Sequence, residues 1–322
     1  MKRILLGVAV ALFCTVVSSV AQAQNFPTKP MRLVVPYPPG GVTDILGREL
    51  GRFMGDQLGQ PVVIDNKPGA GGAIGTAEIA KSAPDGHTFG LGASSTHVLN
   101  PMLYKLNYDA VKDFSPIGLA AAVPLVFVVH PSAPVNNLTE LVAWIKANPA
   151  KANYGSYGNA SLSHLTGELF KGITKVDMTH IPYKGSAPLQ IDVMGNQVFL
   201  GISDMSATPY INGGKLKPLA LTAPRRVPAF PNVPTVSETA GLAGFEATGW
   251  FALYGPAGIP RPVVERLNGA LNAAINSAEL KARLAAMGLE PVTGTPEGLA
   301  AFQRSENVKW QKVIADAKIK VE

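Results

Sequence analysis

The sequence has few cysteines, which cross-link small secreted proteins, and few charged residues, which keep a chain disordered. A single cysteine occurs among 322 residues, so no disulfide can form within the chain. Charged residues make up 16% of the sequence and hydrophobic residues 47%, whereas an average soluble protein has about 25% charged residues. Disordered chains are rich in charge and poor in apolar residues. A disulfide scaffold and a disordered chain are therefore excluded, and the length leaves room for two domains.

The N-terminus has the pattern of a secretory signal peptide. Lys2 and Arg3 precede an apolar run over residues 4–17, and an Ala-Gln-Ala motif ending at Ala23 follows. A positive start, a short apolar run and a small-x-small motif are typical of a cleaved leader. The run is shorter than the roughly 20 residues of a transmembrane helix. We therefore expect residues 1–23 to be a signal peptide that is cleaved near Ala23.

Removal of this leader changes the composition of the mature chain. Cys14 lies in the apolar run, so the mature chain has no cysteine and depends on its core for stability. Loss of the two N-terminal cations lowers the formal charge from +6 to +4. Spread over the whole mature chain, this positive charge is too low in density for a nucleic-acid-binding surface. No later apolar run reaches transmembrane length. We expect an exported, soluble protein of the periplasm that binds no nucleic acid.

Strand-like runs alternate with helical patterns along the mature chain. This alternation predicts an α/β fold with parallel sheets covered by helices. Beyond residue 260 the pattern is helical, and Thr295-Pro-Glu297 has the composition of a helix start. Because no low-complexity linker occurs, we expect the chain to cross between two domains through the ordered segments 118–130 and 245–255. The predicted strands are 31–35, 62–64, 87–91, 125–129, 153–156, 179–183, 198–203 and 216–221, with one more extended run over 245–254, and the predicted helices are 44–58, 75–81, 138–148, 162–170, 262–275, 278–287 and 295–317.

Catalytic and cofactor motifs are absent or incomplete. The glycine-rich segment 69–75 has Ile74 where a dinucleotide site needs its third glycine. No His-Glu-x-x-His motif or cysteine cluster suggests zinc. One enzyme alternative remains open, a secreted hydrolase that uses Ser156 or Ser161 with His164, although the three-residue spacing between the last two also suits helix capping. We expect a protein that is not an enzyme and that uses no metal and no cofactor.

Glycine-rich turns recur between a strand and the start of a helix. We name them the first turn (residues 36–41), the second turn (68–72) and the third turn (155–161). Glycine allows the backbone to approach a ligand closely, and a helix start offers unpaired N–H groups and a positive dipole end to an anion. In the third turn Ser156, Asn159 and Ser161 add neutral donors. Each turn alone could be an ordinary loop, but three of them facing one cleft would form an anion site.

Several motifs carry a resemblance to a known family. They are Val35-Pro-Tyr-Pro-Pro-Gly-Gly41 with Asp44 and Arg48, Asp65-Asn-Lys-Pro-Gly-Ala-Gly-Gly72, Ala83-Pro-Asp-Gly86, His180-Ile-Pro-Tyr-Lys-Gly185, residues 225–234 and Pro256-Ala-Gly-Ile-Pro260. With these motifs, the chain resembles the Bug family, the periplasmic solute receptors of tripartite tricarboxylate transporters. The match extends over essentially the whole mature chain.

The resemblance implies a fold, a ligand class and a partner. The fold is the type II periplasmic-binding-protein fold, with two α/β lobes, a ligand cleft and two crossing segments; lobe 1 comprises 24–124 and 250–322, and lobe 2 comprises 125–249. The ligand is a small organic mono-, di- or tricarboxylate, and the partners are membrane transporter subunits. We expect a monomer. A receptor that serves a sensor kinase instead of a transporter remains an alternative.

The resemblance also implies which residues bind the ligand. The carboxylate is held mainly by backbone N–H groups and hydroxyls of the first and third turns, and the second turn lines the same cleft. Asp204 occupies a position that helps to choose between ligands, where an Asp would favour an amine, a hydroxyl or a ring nitrogen and would repel an extra carboxylate; it could equally be a helix N-cap. The expected site residues are Tyr37, Pro39, Gly40, Gly41, Ala70, Gly71, Ser156, Asn159, Ala160, Ser161 and Asp204.

Overall fold

The computed structural model describes residues 26–319, so the predicted signal peptide, Cys14 and the cleavage site lie outside the described residues. Within this range no helix is both long and apolar enough to cross a membrane. The strands are β1 (Met31–Val35), β2 (Val62–Asn66), β3 (Thr88–Ala93), β4 (Phe114–Val123), β5 (Val126–Val129), β6 (Asn153–Ser156), β7 (Thr179–Pro182), β8 (Leu200–Ser203), β9 (Lys217–Leu221), β10 (Gly249–Pro256) and β11 (Glu290–Pro291).

Helices connect these strands, and the last of them shows how local sequence determines a helix start. Its N-cap is Thr295, whose hydroxyl accepts a hydrogen bond of 3.0 Å from the N–H of Gly298, so the predicted start is confirmed. A π-helix, Ser95–Leu99, follows β3 directly. The α-helices are α1 (Val42–Leu58), α2 (Ala73–Ala80), α3 (Asn100–Leu103), α4 (Leu138–Ala147), α5 (Leu162–Thr174), α6 (Ser186–Met194), α7 (Thr208–Asn212), α8 (Arg261–Asn276), α9 (Ala278–Ala286) and α10 (Pro296–Asp316).

The strands form two sheets, one in each lobe. The first has the order β11-β4-β10-β3-β1-β2, and the second has the order β7-β6-β8-β5-β9. In the first, β1 runs parallel to β2 and β3, while β10 is antiparallel to β3 and β4. In the second, β6 runs parallel to β7 and β8, while β5 is antiparallel to β8 and β9.

The prediction of parallel sheets is therefore wrong in part, because both sheets are mixed. Helices connect the parallel strands as expected, but β10 and β5, the strands by which the chain enters each sheet from the other lobe, run the other way. β4 ends at Val123 in the first sheet and β5 begins at Val126 in the second, so the chain continues from one sheet into the other without a helical return. β4 and β11 were also missed as strands. The alternation of strand and helix could not indicate a direct strand-to-strand crossing.

Thr222 connects the two crossing segments where they pass side by side. Its Oγ1 accepts a hydrogen bond of 2.8 Å from the N–H of Leu125, and its own N–H donates to the Leu125 carbonyl at 2.9 Å. The Thr222 carbonyl accepts a bond of 3.2 Å from the hydroxyl of Thr248. Thr222 is completely buried. The outgoing and returning strands are thus held together at the point between the lobes, within the segments that the sequence predicted for crossing.

Each lobe has a packed core that fixes the positions of its turns. In lobe 1, α1 packs against α8 and against the first sheet with Leu46, Leu50 and Met54, which are completely buried. A Cβ added to Gly47 would lie 2.8 Å from a methyl group of Val35, so glycine permits the close approach of helix to sheet. The first turn, which joins β1 to α1, is held at both ends by this packing.

Candidate functional site

A cleft of about 1070 Å³ lies between the lobes, and residues of both lobes line it. Lobe 1 contributes Thr43 and Ser95 among others, and lobe 2 contributes Asn159 and Ser161. Of the described residues that line the cleft, Asp204 is the one with a formally charged side chain, and none is Lys, Arg or His. Among residues 26–319, no group of three or more His, Cys, Asp or Glu side chains could hold a metal ion. The cleft is a neutral, donor-rich cavity with one acidic side chain.

The structure brings about half of the expected site residues to the cleft surface. Those that line the cleft are Tyr37, Gly71, Asn159, Ala160, Ser161 and Asp204. The other five do not line it. Pro39, Gly40 and Gly41 are exposed and immediately precede the lining residues Val42 and Thr43. Ala70 lines a smaller neighbouring pocket, and Ser156 is completely buried.

Asp44 fixes the conformation of the first turn. Its carboxylate accepts hydrogen bonds from the N–H of Gly40 at 2.8 Å, from Asn66 Nδ2 at 2.9 Å and from Arg48 Nε at 3.0 Å. Burial opposes the charged form of Asp44, yet these donors, with Arg48 foremost, hold the pKa of that carboxyl below its usual range. The carboxylate is thus fully engaged inside the turn, and it anchors the backbone instead of facing the cleft.

The start of α1 supplies donors beside this turn. Its N-cap is Gly41, which has no side chain to accept from the first N–H groups of the helix. The two following residues, Val42 and Thr43, line the cleft. Tyr37 lines it as well, and its hydroxyl lies 2.7 Å from Ser95 Oγ in the π-helix. The first two residues of α1 and the ordered phenol of Tyr37 therefore line the cleft together.

Two histidines support the third turn from below. His164 Nδ1 accepts a hydrogen bond of 3.0 Å from the N–H of Ala160, a residue in the left-handed region with φ = 55°. His180 Nε2 lies 2.7 Å from Ser156 Oγ. The two imidazole rings stack at 3.8 Å between centroids with an angle of 8° between their planes. The conformation of the third turn therefore depends on side chains that lie beneath it.

Both of these histidines are neutral. Burial, with smaller contributions from the neighbouring His164 and Lys171, lowers the pKa of His180 to about 3. Burial also lowers the pKa of His164, against the opposing influence of Glu168. A neutral His164 that accepts at Nδ1 must carry its proton on Nε2. A neutral stack suits this position, because a proton on Nδ1 would remove the acceptor for the Ala160 N–H.

Ser161 is a helix cap. Its Oγ accepts a hydrogen bond of 3.3 Å from the N–H of His164 and donates one of 2.6 Å to the Gly158 carbonyl. The capping interpretation of the Ser161–His164 spacing is confirmed. Ser156, in turn, is paired with His180 and not with His164. Neither serine has the exposed hydroxyl and adjacent base of a nucleophile.

Asp204 is both a cap and a residue of the cleft. One carboxylate oxygen accepts from the N–H of Ser206 at 3.0 Å at the start of a short 3-10 helix, and the other accepts from Ser186 Oγ at 2.6 Å. Asp204 also lines the cleft next to Met205. The two interpretations of this residue are thus compatible.

The sequence analysis missed several residues of this region. His180 belonged to a quoted motif but was not assigned to the site, and Thr43, Ser95 and Tyr157 line the cleft without having been predicted. Tyr157 lies inside the third turn, so its position in the chain was a usable signal. Nothing local in the sequence indicated Ser95, because a single-turn π-helix has no composition of its own.

Two mixed α/β lobes around one cleft place the chain among the two-lobed solute-binding proteins of the periplasmic-binding-protein fold. Residues 46–319 match the model of the tripartite tricarboxylate transporter family receptor, and the chain belongs to this family. The resemblance seen in the sequence motifs is confirmed. The family is one of receptors, so the hydrolase alternative is excluded.

Similar proteins cover nearly the whole chain. Protein BugT of Bordetella pertussis is 35% identical over 324 residues, which are 100% of this chain and 99% of BugT. A solved structure described as a periplasmic transporter is 37% identical, with a TM-score of 0.77, and the match covers 92% of this chain and 100% of the other. A solved R. palustris protein with adipate is 35% identical, with a TM-score of 0.77, covering 92% of this chain and 99% of the other.

Proposed function

We propose that this chain is an exported receptor that captures a small organic carboxylate between its lobes and presents it to a membrane transporter. The observation that carries the proposal is the chemistry of the cleft: neutral donors from turns of both lobes line it, and none of the described lining residues is a cation. Such a site binds an anion through hydrogen bonds alone. Release is easier from neutral donors than from a buried ion pair, which is what a delivery protein requires.

The carboxylate is placed between the starts of two helices. Val42 and Thr43 at the beginning of α1 and Leu162 at the beginning of α5 line the same cleft. Helix starts favour anions through their unpaired N–H groups and dipoles. Asn159 and Tyr37 add side-chain donors. In this arrangement Pro39, Gly40, Gly41 and Ala70 shape the turns, and Ser156 supports the third turn.

Capture proceeds by closure of the lobes around the ligand. We propose residues 24–124 with 250–322 as lobe 1 and residues 125–249 as lobe 2, which rotate about the crossing strands that Thr222 holds together. Closure removes the anion from water. In the closed cleft, each hydrogen bond to the charged group contributes about 1.5–3 kcal/mol. The closed form is the one that a membrane partner would recognise.

The relatives support export, the ligand class and the partner. One similar solved structure is described as a periplasmic transporter and another contains adipate. The family name links the receptor to a tripartite tricarboxylate transporter. Service to a sensor kinase would use the same capture step, but the family name favours transport. We propose that the leader is cleaved near Ala23 and that the mature chain acts as a monomer.

A thermal-shift panel tests the capture step. Acetate, hexanoate, phenylacetate, succinate, malate, adipate and citrate are compared with uncharged partners of the same shape, such as dimethyl adipate and phenylacetamide. A ligand that binds the folded state raises the melting temperature by mass action. At least one carboxylate should raise it while its uncharged partner does not. A shift that survives esterification, or a shift with maltose or adenosine alone, would contradict the proposal.

A pair of variants tests whether the carboxylate binds in the cleft. Asn159→Ala removes a side-chain donor from the lining, and Asn232→Ala removes an exposed side chain that does not line it. The first should weaken the affinity for the carboxylate that gives the largest shift about threefold to tenfold, in line with one neutral hydrogen bond. The second should leave the affinity unchanged. Equal affinities for both variants would place binding elsewhere.

A further inference from the structure

We propose that a smaller pocket, formed within lobe 1 alone, is a second binding site that takes a small organic anion with an apolar body. This pocket lies beside the cleft and has a volume of about 520 Å³, which is within the range of ligand-binding pockets, roughly 300–1,000 Å³. We name it the side pocket; its lining residues lie between Ala70 and Asn107. Its ligand is additional to the carboxylate that the lobes capture between them.

A hydrogen-bonded wall separates the side pocket from the cleft. Gly71, Asn100 and Tyr104 line both spaces. Asn100 Nδ2 donates a hydrogen bond of 3.1 Å to the Gly71 carbonyl, and the Asn100 carbonyl accepts one of 2.8 Å from the N–H of Tyr104. These bonds join the second turn to the end of α3. The wall is therefore fixed in position, and the two spaces are distinct.

The apolar side of the side pocket is preformed. Ala73 and Ala77 lie one turn apart on α2, and together with Leu106 they pack against the buried core. Their short side chains leave the space between α2 and the segment after α3 open. Ile74 and Tyr104 line the same space and are 56% and 48% exposed. A ligand with a hydrocarbon or aromatic body gains free energy by covering these surfaces.

Lys105 gives the side pocket its charge. Among the described residues that line the pocket, it is the one with a formally charged side chain. Within residues 26–319 its ammonium group forms no ion pair, whereas the Lys112 ammonium group lies 3.7 Å from the carboxylate of Asp109. The amide of Asn107 lies in the same lining. A cation without a carboxylate partner, next to apolar surface, is complementary to an anion that carries an apolar body.

Binding in the side pocket does not require closure of the lobes. All of its lining residues belong to lobe 1, whereas lining residues of the cleft come from both lobes. An anion in the side pocket should therefore bind the open and the closed form alike, with an affinity that does not depend on donors of lobe 2. This independence separates the two sites experimentally.

Methyl-resolved NMR on the full mature chain distinguishes the two sites. The methyl groups of Ile74 and Ala77 report on the side pocket, and those of Leu162 and Met205 report on the cleft. During a titration with hexanoate, the two pairs of signals should shift with different dissociation constants. The side pocket should bind uncharged hexanamide about threefold more weakly than hexanoate. From butanoate to hexanoate, its affinity should rise about twofold for each added methylene, because the apolar surface stays partly exposed to water.

The same titration gives the result that overturns the inference. Side-pocket signals that do not move, or that follow the cleft signals with the same dissociation constant, contradict a second site and leave capture in the cleft standing. If the side-pocket signals move and the cleft signals do not respond to any carboxylate, the second site stands and capture in the cleft fails.

Substitutions test the residues of the side pocket directly. Lys105→Gln should weaken hexanoate binding there about threefold to fivefold, in line with one exposed ion pair, and leave the affinity of the cleft unchanged. Lys112→Gln is the control, because it removes a cation that lines neither space. Ala77→Leu fills the side pocket and should abolish binding there, while Asn159→Ala should weaken binding in the cleft alone. A side-pocket affinity that Asn159→Ala lowers, or that both Lys105→Gln and Ala77→Leu leave unchanged, contradicts the inference.

Discussion

The hydroxyl of Ser156 lies 2.7 Å from Nε2 of His180, and Ser156 is completely buried at the start of the third turn. Ser156 Oγ also donates to the Gly158 carbonyl at 2.9 Å. A serine–histidine pair at this distance is the arrangement of a nucleophile and its base, yet here the hydroxyl faces the turn and cannot meet a substrate. The pair therefore serves the conformation of a loop that lines the cleft.

Ser156→Ala should lower affinity without any loss of turnover. Removal of Oγ deletes the hydrogen bond to the Gly158 carbonyl and the contact with His180, so the affinity for the best carboxylate of the panel should fall about tenfold. Neither variant nor wild type should hydrolyse p-nitrophenyl acetate above background. Ser132→Ala is the control, because Ser132 Oγ lies at the same 2.7 Å from His130 Nδ1 on an exposed loop outside the cleft lining. An equal loss of affinity in both variants would show that the third turn has no part in carboxylate binding.

Carboxylate binding should weaken in acid because His164 must be neutral to support the third turn. Protonation of Nδ1 would replace an acceptor by a donor opposite the Ala160 N–H, and burial holds the pKa of His164 below its ordinary value of 6.5. Affinity should therefore stay constant from pH 8 to about that ordinary value and fall in more acid solution. Titrations across this range in wild type, His164→Phe and His130→Asn measure the effect. The first variant should bind weakly at every pH, and the second should follow wild type.

Fold stability should also decline in acid, through His97. This residue is completely buried, its ring stacks on Tyr254 at 3.9 Å, and burial lowers its pKa from 6.5 to about 3. The unfolded chain takes up a proton below pH 6.5 while the folded chain does not, so stability is full above that pH and is lost as the pH falls towards 3. The limiting slope for one such group is about 1.4 kcal/mol per pH unit.

Urea unfolding at pH 7, 6, 5 and 4 measures this slope. His97→Gln should reduce the dependence of the unfolding free energy on pH, although it lowers stability at pH 7 through lost packing. His180, whose pKa is also lowered to about 3, should account for part of the remaining slope. His130→Gln, at a half-buried position remote from both rings, is the control variant. A variant at His97 with the full wild-type slope would contradict the assignment.

Thr222→Val should destabilise the junction between the lobes. Valine has nearly the same shape but cannot accept the hydrogen bond that the Leu125 N–H donates at 2.8 Å. An unsatisfied buried N–H costs about 1–3 kcal/mol, so chemical denaturation should show a loss of that size. Thr222→Ser keeps the hydroxyl and should retain most of the stability. If the Thr222→Val variant had the same unfolding free energy as the wild type, the hydroxyl would have no part in holding the crossing strands together.

The helix starts were largely predictable because capping is a local interaction. Thr295 and Ser161 accept from N–H groups three residues along the chain, so local composition predicted the first cap and spacing suggested the second. The mixed sheets were not predictable in the same way. The direction in which β10 joins β3 depends on where the chain returns from the second lobe, and no local pattern records that.

The composition of the three turns, the order of most strands and helices, and the resemblance to the family could all be read from the sequence. These follow from short-range chemistry, since glycine, proline and capping side chains act on their immediate neighbours. The folded structure was needed to show that His180, 24 residues from Ser156 along the chain, supports the third turn, and that Asp204 is the single charge on the described cleft lining. Such pairings depend on which strands become neighbours, because packing brings together side chains that are far apart in the chain.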